Sequence, residues 1–236
     1  MRIGNKSATL LLALALLLEG CTGLSPLYSI GGGDGSYRVR KGDTLYSIAF
    51  RYGLDYKSLA RINRIGPPYT IYTDQLIRLR GSAKRPEKDS GPTATKPVPK
   101  RIPSAKARLP EKVAGWRWPI NGKVIAVFSL TNPINKGIDI AGNSGDAVVA
   151  AADGVVVYAG GNLRGYGKLV IIKHNDHFLS AYGNNETMLV REGEKVRAGR
   201  TIARVGTSAA NTEMLHFEIR REGKPENPLN YLPARG

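Results

Sequence analysis

The sequence predicts a multidomain chain: a targeting segment, a small α+β module of order βααβ over residues 37–80, a linker over 81–112, and an all-β domain over 113–236. Three observations predict this. A single short stretch carries apolar residues at helical spacing between two alternating strands. A stretch rich in proline and basic residues follows. Beyond it, β-branched runs recur between glycine, asparagine and aspartate, the pattern of a sandwich or barrel. The formal charge is +16, with 42% hydrophobic and 23% charged residues. That leaves enough apolar side chains for a core and excludes wholesale disorder. One cysteine excludes a disulfide framework, and three histidines leave few nitrogen ligands for a metal.

Residues 1–20 read as an export signal. Arg2 and Lys6 precede an apolar run from Ala8 to Leu18, which is too short to span a bilayer that needs about 20 apolar residues. Leu18-Glu19-Gly20-Cys21 resembles the bacterial lipoprotein box, which implies acylation of Cys21 as the mature N-terminus. Thr22, in place of aspartate, directs such a lipoprotein to the outer membrane of a Gram-negative cell, facing the periplasm. Residues 21–36 would then form a tether behind the lipid, and nucleic acid is excluded as a partner despite the charge.

In the small module, Tyr37-Arg38-Val39-Arg40 alternates as a strand and Gly42 permits a turn. Asp43 is placed to cap a helix whose first residue is Thr44. Leu45, Ile48, Ala49 and Tyr52 fall on one helical face, and Gly53 ends the helix. Asp55 is placed to cap a second helix, and Gly66-Pro67-Pro68 breaks the chain before the strand Leu76–Leu79. Val39-Arg40-Lys41-Gly42-Asp43-Thr44-Leu45, Asn63 and Gln75-Leu76 resemble the signature of the LysM family. That resemblance implies a groove for polymers containing N-acetylglucosamine, hence for peptidoglycan. Its lining would be Gly42, Asp43, Thr44, Leu45, Ile65, Pro67, Tyr69 and Ile71.

The linker holds six prolines and nine basic residues and almost no large apolar side chains, so it cannot bury enough surface to fold. Strands are predicted beyond it at 124–128, 147–151, 154–159, 169–173, 179–182, 201–205 and 215–219. Asn135-Lys136-Gly137-Ile138-Asp139-Ile140, Ala151-Ala152-Asp153-Gly154, Gly165-Tyr166-Gly167, Ile172-Lys173-His174 and Leu215-His216-Phe217-Glu218-Ile219 together resemble the LytM/M23 peptidase family.

Active members of that family hold zinc with the ends of an H-x-G-x-D and an H-x-H motif. Here Asn135 stands at the first ligand position, Asn184 at a later histidine after Tyr182-Gly183, and Met214 at the first of the H-x-H pair. Asp139 and His216 alone remain, two ligands where catalytic zinc needs about three. The resemblance therefore implies no catalytic residues, no metal and no cofactor. The combination of lipoprotein box, LysM and degenerate LytM domain resembles the NlpD/EnvC class of murein-hydrolase activators. In that class the degenerate groove binds a periplasmic N-acetylmuramoyl-L-alanine amidase and draws a blocking helix from its active site during cell separation. The groove here would comprise Asn135, Lys136, Asp139, Tyr182, Asn184, Met214 and His216. An active zinc endopeptidase and a purely structural wall tether are the alternatives.

Overall fold

The computed structural model describes residues 35–81, 113–131 and 133–235. The export signal, Cys21 and residues 82–112 of the linker lie outside the described residues. The described residues belong to one compact unit.

The small module runs β1 (Ser36–Arg38), α1 (Leu45–Tyr52), α2 (Tyr56–Ile62) and β2 (Leu76–Arg78), with β1 and β2 paired antiparallel. Thr44, not Asp43, caps α1. Its hydroxyl accepts from the Ser47 amide at 3.0 Å while the Ser47 hydroxyl answers the Thr44 amide, a reciprocal box that satisfies two first-turn donors. Asp43 instead folds back. Its carboxylate accepts from the Arg40 amide at 2.8 Å and the Tyr37 hydroxyl at 2.7 Å, and pairs with Arg51. Gly53 closes α1 in the left-handed region, and Asp55 caps α2 through the Ser58 amide.

The large domain is a ten-stranded sheet: β3 (Val124–Ala126), β4 (Ile138–Ala141), β5 (Ala147–Val149), β6 (Gly154–Gly160), β7 (Lys168–Lys173), β8 (Phe178–Met188), β9 (Lys195–Val196), β10 (Thr201–Thr207), β11 (Glu213–Arg221) and β12 (Lys224–Glu226). The main path is β3-β4-β11-β10-β8-β7-β6-β9, with β11 also paired to β8. Ile138, Ile140, Tyr182, Val205, Leu215, Phe217 and Ile219 fill the principal core. β8 runs well past the predicted end at Tyr182, and β4, β9 and β12 were not among the predicted strands.

The two modules pack together. Phe50 of α1 is buried in a second core cluster with Tyr158, Leu163, Leu169, Ile171, Leu179 and Ala181 of the sheet domain. Around it, Thr44 donates to the Val157 carbonyl, Asn162 donates to the Lys41 carbonyl, and Lys57 pairs with Asp176. Gly223, in the β11–β12 turn at φ +76°, faces the Leu54 main chain so closely that a Cβ would lie well inside 3.0 Å of it. Glycine is needed there both for the angle and for the approach.

Candidate functional site

Strand alternation builds the groove. On β11, Leu215, Phe217 and Ile219 face the core, so Met214, His216, Glu218 and Arg220 share the opposite face. β4 pairs with β11 so that Asp139 lies directly opposite His216, and β8 brings Gly183 to its other side. Gly137 passes over β11 so closely that a Cβ would collide with the Phe217 carbonyl, which explains the glycine in Asn135-Lys136-Gly137.

The polar side chains form a continuous line. Asn135 Nδ2 donates to Asp139 Oδ2 at 3.3 Å, and Asp139 Oδ1 meets His216 Nδ1 at 2.7 Å. His216 Nε2 meets Glu218 Oε1 at 3.1 Å, and Arg220 Nε donates to Glu218 Oε2 at 2.7 Å. Arg220 Nη1 then donates to the Phe50 carbonyl at 2.6 Å, at the C-terminal end of α1 in the small module. Its guanidinium stacks 3.4 Å above the Phe50 ring. Tyr166 braces the line: its hydroxyl donates to Glu218 at 2.8 Å and accepts from Arg220 at 3.2 Å. The Tyr166 ring meets both His216 and Phe50 edge to face.

Charge alternates along this line, and burial makes each member depend on the next. Glu218 is 0% exposed and Arg220 2%. Burial would raise the Glu218 carboxyl, but Arg220 and His216 hold it well below the usual range. Burial would likewise lower His216, yet its hydrogen bonds to Asp139 and Glu218 carry it up to about 9. His216 is therefore an imidazolium at neutral pH, donating from both ring nitrogens.

Zinc, implied by the peptidase fold, does not fit this donor set. A catalytic zinc takes about three protein donors, and Asp139 and His216 are the two present at the family's ligand positions. Both oxygens of Asp139 are engaged, and Asn135 Oδ1 accepts from the Gly137 amide at 3.2 Å. A neutral amide and the Met214 thioether occupy the remaining positions.

Of the residues predicted for this groove, Asn135, Asp139, His216 and Met214 come together, and Lys136 is exposed beside them. Asn184 follows Gly183 at φ +60°, an angle asparagine tolerates, with its amide on the Tyr166 carbonyl. Tyr182 does not belong. It lies on the core face of β8 against Phe217, and its hydroxyl accepts from the Ala151 amide. Glu218, Arg220 and Tyr166 were missed. The signal for the first two was the alternation His216-x-Glu218-x-Arg220, which reads as a solvent face until another element covers it.

The small module contributes a second concavity, a cleft of about 460 Å³. Of the residues expected to bind glycan, Asp43, Thr44, Tyr69 and Ile71 line it, joined by Tyr46, Pro68 and Thr70. Leu45 is core, and Gly42, Ile65 and Pro67 are not in the lining. Asp43 and Thr44 contribute shape more than free polar groups, because their side chains are already bonded internally and to Val157.

Residues 37–80 match the LysM domain family, and residues 133–228 match peptidase family M23. The chain is 47% identical over 232 residues to a lipoprotein NlpD/LppB homolog of Pseudomonas aeruginosa, covering 86% of this chain and 78% of that protein. It is 42% identical to the lipoprotein YgeR of Escherichia coli, covering 100% of this chain and 96% of that one. It is 39% identical to the murein hydrolase activator NlpD of Escherichia coli, covering 85% and 68%.

Proposed function

The chain belongs to the NlpD/LppB lipoprotein family, and on that footing we propose that it is a non-catalytic activator of a periplasmic N-acetylmuramoyl-L-alanine amidase. It is anchored to the outer membrane through acylated Cys21 and holds peptidoglycan through its LysM module. The observation that carries this reading is the donor set of the groove, where Asn135 stands beside Asp139 and His216 at the position of a ligand. With asparagine at position 135, the family's ligand positions offer two donors where a zinc that lowers the pKa of a bound water and polarises a peptide carbonyl takes about three. What the groove retains is a shaped surface.

That surface suits a protein partner. β3 and the turn after it expose Ile125, Val127, Leu130 and Ile134 beside Asn135, an apolar strip along the rim of the groove. Burying the exposed half to two-thirds of each side chain is worth about 1 kcal/mol, so roughly 4 kcal/mol in all. Shifting an amidase from 1:99 to 99:1 in favour of its open state requires about 5.5 kcal/mol of preference for that state. The strip together with Met214 and Lys136 in the groove supplies energy of that order, provided it contacts only the open form.

Release of dye from labelled sacculi by a purified amidase tests the reading. Met214→Glu should abolish stimulation while the circular dichroism spectrum stays unchanged. Full stimulation by that variant would remove the groove from the contact surface.

A further inference from the structure

We propose that the glycan cleft has two walls from different domains, and that the sheet domain supplies the second through Val155, Val157 and Glu192. The inference rests on the reading of the LysM module as a glycan binder and adds where the saccharide lies and what recognises it.

The first wall comes from the small module. Tyr69 stands edge to face with Tyr46 at 6.0 Å and with Tyr56 at 5.4 Å, beside Pro68 and Ile71. Such rings and the proline present flat apolar faces, which suit the C–H faces of pyranose rings. The facing wall is the outer edge of β6 and the turn before β9. β9 pairs with β6 only at Gly154 and Val155, the turn before β9 bonds both main-chain groups of Val156, and from Val157 onward this edge has no strand partner among the described residues. An unpaired edge must be covered or it invites association. Here Thr44 bonds the Val157 carbonyl at 3.2 Å and joins the two walls at one end.

Glu192 carries the polar recognition. It lines the cleft, and one carboxylate oxygen accepts from the Ala159 amide at a long 3.4 Å. The residue is exposed at the cleft, so its carboxylate can be reached by a ligand donor. Sugar hydroxyls and the acetamide N–H of N-acetylhexosamines are donors of that kind, and charge-assisted bonds are the stronger ones. The cleft volume lies within the range of small-ligand sites. The ligand class is therefore a short stretch of β-linked N-acetylhexosamine polymer, bound only when the two domains are docked.

The test is calorimetric titration of the full-length protein in detergent with chitotetraose. Glu192→Ala should weaken binding about tenfold, and Val155→Arg, which fills the cleft from the sheet side, should do so at least as strongly. Tyr69→Ala reports on the small module's wall and should weaken binding as well. If Tyr69→Ala weakens binding while Glu192→Ala and Val155→Arg leave it unchanged, the second wall is overturned and the LysM reading stands. If the unaltered protein does not bind chitotetraose, or Tyr69→Ala is also without effect, the glycan reading falls and takes this inference with it. Melting curves within a few degrees of the unaltered protein establish that each variant is folded.

Discussion

Replacing Arg220 with methionine should destabilise the protein by about 3 kcal/mol, far beyond a surface charge. Methionine keeps an apolar stem but removes the guanidinium stacked on Phe50 and its three hydrogen bonds, to Glu218, to the Phe50 carbonyl and to Tyr166. The larger effect is on what remains. Glu218 is fully buried, and losing its cationic partner leaves a carboxylate compensated only by His216 and Tyr166. Breaking a buried pair by removing one partner costs about 3–5 kcal/mol, and the two surviving contacts place this case at the lower end. Urea unfolding followed by far-ultraviolet circular dichroism measures it. Arg220→Met/Glu218→Leu should recover at least half the loss, because removing both charges abolishes the desolvation penalty that one alone leaves behind. A single-variant loss under 1 kcal/mol, or a double variant as unstable as the sum of its parts, would refute a buried charge line between groove and helix.

Gly223→Ala should lower the melting temperature by roughly 4–8 °C, the equivalent of about 2 kcal/mol, because the new Cβ meets the Leu54 main chain and strains a backbone at φ +76°. Thermal melts show it, and an unchanged melting point would mean that the modules do not touch there. His174 is held neutral by burial, at about 4 against 6.5 in the unfolded chain, with its ring on Ser180 and on the Asp153 carbonyl. The unfolded state thus binds the extra proton first as pH falls. About 3 kcal/mol of stability should be lost between pH 6.5 and 4, and His174→Gln should flatten that part of the profile.

The local parts of the fold were legible in the sequence. Gly53 and Asp55 punctuate α1 and α2 where their chemistry requires, and the β-branched runs mark most strands. Asp43 misled because it and Thr44 are both good caps. What decides between them is non-local: Arg51 and Tyr37 draw the Asp43 carboxylate away. β8 was cut short because Gly183-Asn184-Asn185 reads as a strand breaker, yet β7 and β10 pair with it from Asn185 onward and carry the chain through. In the groove, the family pattern named Asn135, Asp139 and His216, which hydrogen bonds join, and Met214, which shares the His216 face of β11. It misplaced Tyr182, whose position next to Gly183 puts it on the other face of the strand. The burial of Glu218 and Arg220 was invisible, since α1 and Tyr166, which cover them, are remote in sequence.

The line from Asp139 to the Phe50 carbonyl has a mechanical consequence. A protein that holds wall in one place and a hydrolase in another has two affinities; join the two sites rigidly and it also has a distance. With Arg220 seated on the end of α1, the captured strand and the docked enzyme would stand a set interval apart, like work and tool in a jig. The choice of which bond is cut would then be made partly by geometry, before any chemistry begins.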